Sequence, residues 1–182
     1  MGKSFALKVI IFIFCVFTIT LNSFVYAQIH KVKVDNFIFL YDASSSMGEG
    51  YKYEVVKKGE LCLEAMHDIN NNIPKHDFQS GLFTIVPDFR AHQSMSIYNK
   101  KDFEESISSL PAPKKYIGPQ TPLAEGLTHL DNILNDLSGK TALILFSDGG
   151  ENKGGNTEKV LEQIYQNYDA CLHFVSYAHK DK

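Results

Sequence analysis

The chain has 182 residues, 44% of them hydrophobic and 12% aromatic, with a formal charge of −3. That length fits one domain, and that apolar content builds a core and argues against disorder. Lys and Arg never run beyond two or three in a row, so the charge pattern excludes a nucleic-acid footprint and gives no sign of binding to an anionic membrane surface.

Residues 1–27 read as an export signal. Lys3 and Lys8 give a positive start, residues 9–20 an apolar stretch, and Val25-Tyr26-Ala27 small-residue cleavage chemistry before Gln28. The stretch is short for a membrane span, so no span is expected after cleavage. An uncleaved N-terminal anchor is the other reading. Cys15 follows the bulky Phe14 and does not suit lipid attachment. Cys62 and Cys171 remain in the exported part. Outside the cytoplasm they can pair, or both can be free core thiols. Both are expected to be buried. No C-x-x-C occurs, hence no thiol-redox or zinc pattern.

Residues 32–41 predict a first strand. Its run Phe37-Ile38-Phe39-Leu40 is continuously apolar, as in a strand covered on both faces. A polar Ser/Gly-rich loop follows at 42–50. Residues 53–72 predict a helix with Val55, Gly59, Cys62, Met66, Ile69 and Ile73 on one stripe. Asn70-Asn71-Asn72 and Pro74 end it. Strands are expected at 81–86 and, more weakly, at 94–98. A short helix over 101–110 puts Phe103, Ile107 and Leu110 on one side, and Pro111 and Pro113 break it. A helix over 122–137 carries Leu123, Leu127, Leu130, Leu134 and Leu137, and Gly139 closes it. Then come an apolar strand at 141–146, a Gly-rich loop at 147–156, a helix at 157–168 with Leu161, Ile164 and Tyr168 facing inward, and a last strand at 170–178. This alternation predicts an α/β fold: a three-layer, doubly wound, mostly parallel sheet with helices on both faces.

Asp42 and Asp148 both fall at the carboxyl ends of predicted strands, where open α/β sheets bind ligands. Taken alone, either is equally a turn or capping residue. Asp42-Ala43-Ser44-Ser45-Ser46 has the spacing D-x-S-x-S, and in a tight turn the alternate side chains can converge. Thr121 before Pro122 is an ordinary helix start, yet its hydroxyl can also turn outward to a ligand.

Asp42-x-Ser44-x-Ser46, then Thr121 within Gly118-Pro119-Gln120-Thr121-Pro122-Leu123, then Ser147-Asp148-Gly149, resembles the metal-ion-dependent adhesion site (MIDAS) of von Willebrand factor A domains. The resemblance spans roughly residues 33–178. It implies a single Rossmann-like domain over 28–182, and the export signal together with the lack of a disulfide-dense framework suggests an exported bacterial type: periplasmic, in the cell envelope, or secreted. It also implies that Ser44, Ser46 and Thr121 coordinate a metal directly while Asp42 and Asp148 act largely through bound water. All-oxygen donors select hard cations, so Mg²⁺ is expected, with Mn²⁺ or Ca²⁺ as alternatives. A sixth position is left for the acidic side chain of a protein partner. The expected rim comprises residues 47–51, 114–120 and 149–155. Relatives of this type add a strand and a helix after the position of residue 178. The sequence given carries neither, so the strand at 170–178 is expected to be a bare edge.

Three other functions compete. A metal-dependent hydrolase needs a positioned base. His129 is two helical turns from Thr121, roughly 12 Å at ~1.5 Å per residue, and neither His67 nor His173 suits the role. No H-E-x-x-H or G-x-S-x-G occurs, so an enzyme is not expected. A nucleotide-binding domain would show G-x-G-x-x-G or a P-loop after the first strand, and neither is there. A structural envelope module that needs no metal is the remaining alternative.

Overall fold

The computed structural model describes residues 34–53, 55–86, 89–111, 123–149 and 155–178. The proposed signal, residues 1–27, lies outside them. Five strands form one sheet: β1 (Asn36–Asp42), β2 (Gln79–Val86), β3 (Arg90–Ile97), β4 (Thr141–Ser147) and β5 (Ala170–Ser176), in the spatial order β3-β2-β1-β4-β5. β1 pairs in parallel with β2 and β4, and β4 with β5. Only β3 runs antiparallel, against β2, as their short connection requires. The expected mostly parallel α/β sheet is what the chain forms.

The helices are α1 (Lys58–Asn72), α2 (Lys100–Ser108), α3 (Leu123–Thr128), α4 (Leu130–Asn135) and α5 (Thr157–Asn167). β1 shows why they lie on both faces. Its side chains alternate across the sheet. Phe37, Phe39 and Tyr41 join one core with Cys62 and Met66 of α1 and Phe103 and Ile107 of α2. Ile38 and Leu40 join the other with Leu123, Leu127, Leu130 and Leu134 of α3 and α4 and Ile164 of α5. Every residue of β1 is buried. Phe103 packs edge-on against both Phe37 and Phe39, at ring-centroid distances of 5.3 and 5.1 Å, a favourable aromatic geometry.

Several boundaries differ from the sequence expectation. The first helix begins at Lys58, not residue 53, and Val55 is 97% exposed rather than on the buried stripe. In its place the chain makes short 3₁₀ turns and an isolated bridge between Gly50 and Lys57. The helix expected over 122–137 is interrupted at His129. The Thr128 hydroxyl donates to the Ala124 carbonyl at 2.9 Å, and the His129 amide turns to the Gly126 carbonyl at 3.3 Å, tightening the turn there. Gly139 lies in the left-handed region, φ +84°, where a side chain is strained. Cys171 is exposed rather than buried, while Cys62 is buried, and both are free. Cys171 sits on β5, the outermost strand of the sheet, where Leu172 and Phe174 are also exposed.

Candidate metal centre

Two adjacent strand ends build the site. β1 finishes at Asp42 and β4 at Ser147, with Asp148 next in the chain. β1 has β2 on one side and β4 on the other, so strand order reverses between β1 and β4. That is the crevice where open α/β sheets place ligands.

The loop leaving β1 folds back on itself. The Ser44 amide donates to Asp42 Oδ1 at 2.9 Å, the local turn that an Asp side chain favours. A 3₁₀ turn over Ser45–Gly48 follows, closed by Met47 N–H to the Ser44 carbonyl at 3.1 Å. As a result Ser44 Oγ and Ser46 Oγ are 3.0 Å apart. Ser46 Oγ donates in turn to Asp148 Oδ1 at 3.1 Å. The second oxygen of Asp42 accepts from Ser147 Oγ at 2.6 Å, and Ser147 Oγ accepts from the Gly149 amide at 3.0 Å. Asp42, Ser44 and Ser46, the three residues of the D-x-S-x-S spacing, therefore lie together, and Asp148 from the end of β4 joins them. Thr121 lies outside the described residues.

The charges are unevenly balanced. Burial pushes the Asp42 carboxyl above the usual carboxylate range. Hydrogen bonds from Ser147 and Ser44 hold it back, and the Asp148 carboxylate pushes it further up. Asp148 has its own counter-ion: Lys58 Nζ lies 2.8 Å from Asp148 Oδ2, with the two side chains only 3% and 8% exposed. Glu49 Oε2 is 3.7 Å from the same ammonium. Lys58 and Ser147 were both missed in the sequence. No sequence signal marks Lys58: the helical spacing predicts a start at residue 53, which puts Lys58 inside the helix rather than at its opening.

The donor set fits a hard divalent cation. Two hydroxyls and two carboxylates face one another, all oxygen, and the buried Asp42 charge has hydrogen bonds but no cation partner among the described contacts. Among the described residues no cluster of three or more His, Cys, Asp or Glu side chains could hold a metal. One expected rim residue does not qualify: Met47 is fully buried and belongs to the core between β1 and α1. Lys114 to Gln120 and residues 150–154 lie outside the described residues.

The sheet order and the two-sided core give the chain a von Willebrand factor A-like fold. Solved structures bear this out at the level of the fold. The chain superposes on BatB from Bacteroides thetaiotaomicron with a TM-score of 0.63 at 14% identity, covering 79% of this chain and 66% of that one. Manganese-loaded TRAP protein of Plasmodium vivax gives a TM-score of 0.58 at 15% identity, covering 81% and 59%. Proximal thread matrix protein 1 from the mussel byssus, with a zinc-occupied MIDAS motif, gives 0.61 at 17%, covering 79% and 38%. The chain thus spans about two thirds of BatB and less of the others. No family model and no curated protein matches it.

Proposed function

We propose that this chain is a protein-binding module, adhesive or assembly-forming, that works in the cell envelope or outside the cell through a divalent ion held at the ends of β1 and β4. The observation that carries the reading is the convergence of Asp42, Ser44, Ser46 and Asp148 through contacts of 2.9 to 3.1 Å. Ser44, Ser46 and Thr121 would hold the ion directly, and Asp42 and Asp148 through water. Mg²⁺ is the proposed resident, with Mn²⁺ or Ca²⁺ able to replace it. Metal-bearing neighbours of the same fold, one loaded with manganese and one with zinc, support a divalent ion without selecting magnesium. Bound there, the ion supplies an electrophilic position for a carboxylate of the partner protein. The chain's own residues orient the hydroxyls and keep the base of the site dry. We read the domain as a binder and not an enzyme.

Titration calorimetry with Mg²⁺, Mn²⁺ and Ca²⁺ tests this. One-site uptake is expected, weakened at least about tenfold in Ser46→Ala, which removes a ligand oxygen without stranding Lys58. Capture of envelope proteins by the immobilised domain should persist in Mg²⁺ and be lost in EDTA. Undetectable uptake of all three ions would sink the reading. Phosphatase turnover abolished by Asp42→Ala would replace it with an enzyme.

A second reading, metal-free assembly, is favoured by one observation: Lys58 already neutralises Asp148. A partner complex unaffected by EDTA would select it.

A further inference from the structure

Lys58 has no local reason to be where it is. It is the first residue of α1, where the helix dipole disfavours a cation, and its side chain is 3% exposed, where a lone ammonium is costly. The loop holds it in place: its amide donates to the Glu49 carbonyl at 3.0 Å, and the Gly50–Lys57 bridge fixes the preceding residue. Its ammonium meets Asp148 Oδ2, 90 residues further along the chain, at 2.8 Å, and lies 3.7 Å from Glu49. The other oxygen of the same carboxylate takes the Ser46 hydroxyl.

We infer that Lys58 is a built-in counter-ion that competes with the divalent cation for Asp148 and thereby sets the metal affinity of the site. The inference rests on the metal-binding reading above. A single carboxylate here serves two cations. Its Oδ1 is bound to a proposed ligand hydroxyl and its Oδ2 to the ammonium. Positive charge entering beside Ser46 meets the ammonium across one carboxylate, at a separation where like charges repel strongly in a buried setting. Without the ion, Lys58 keeps Asp148 paired and the site closed up. With it, Asp148 must share or surrender that pair, and Glu49 is the nearby acid to which the ammonium can lean. Lys58 is a positioning residue in this scheme, not a ligand.

The test compares Mn²⁺ affinity, by calorimetry, and melting temperature with and without Mn²⁺ for the wild-type domain, Lys58→Met and Lys58→Arg. Methionine keeps most of the apolar stem and removes the charge. Lys58→Met is expected to bind Mn²⁺ roughly tenfold tighter or more. It should also melt lower without metal and gain more on adding it than the wild type does. Arginine keeps the charge and can engage both oxygens of a carboxylate, so Lys58→Arg should bind Mn²⁺ several-fold more weakly than the wild type. This second variant decides the matter if Lys58→Met does not fold. A folded Lys58→Met with affinity equal to or below the wild type overturns the inference while leaving the metal site standing, as does an Arg variant that binds as tightly as the wild type. No uptake by any of them overturns both readings.

Discussion

Asp42 illustrates how much of the site depends on single hydrogen bonds. It is fully buried and carries a charge that burial disfavours, and the short bond from Ser147 is the largest of the hydrogen bonds opposing that penalty. Ser147→Ala strands Asp42 Oδ2 and the Gly149 amide together. We expect it to destabilise the metal-free domain by about 1–3 kcal/mol, read from urea unfolding, and to raise the pH at which Asp42 takes up a proton. An unchanged unfolding midpoint would mean the Ser147 bond is not formed in solution. Residue identity made Asp42, Ser44, Ser46 and Asp148 legible, because D-x-S-x-S and S-D-G are local patterns. The role of Ser147, although it stands in the S-D-G pattern, and that of Lys58 were not, because their partners lie 105 and 90 residues away and nothing in the linear sequence pairs them.

At the scale of elements, the strands were the most legible part. Continuous apolar runs at 37–40 and 142–146 arise because both faces of β1 and β4 are covered. The start of α1 was misjudged because Val55 continues the helical spacing by coincidence, while its backbone belongs to the loop that delivers Lys58. How closely α3 meets the sheet was also hidden. A Cβ on Gly126 would lie 2.8 Å from Ile85 Cβ and 3.3 Å from its carbonyl oxygen. Gly126→Val is therefore expected to cost about 1–3 kcal/mol through forced separation of helix and strand, measured as a lowered melting temperature and unfolding free energy. Full tolerance would show that α3 sits further from β2 than described.

For the whole molecule, the asymmetry of the sheet is the main feature. β1 and β4 are central and buried, whereas among the described residues β5 is outermost, with Leu172 38% and Phe174 46% exposed. An exposed strand with apolar side chains favours association. Leu172→Lys with Phe174→Lys should leave unfolding free energy within about 1 kcal/mol of the wild type, as surface changes do, and should reduce concentration-dependent light scattering. A large loss of stability would show that these two side chains are core residues.

The sequence by itself determined the fold class, the strands and the oxygen-rich character of the site, because hydrophobic period and short motifs act over neighbouring residues. The tertiary structure alone decided strand order, the exposure of Cys171 on the edge, the close fit of Gly126 and the burial of Lys58 against Asp148. Each of these is a contact between segments far apart in the chain, and its free energy exists only once the sheet has brought them together.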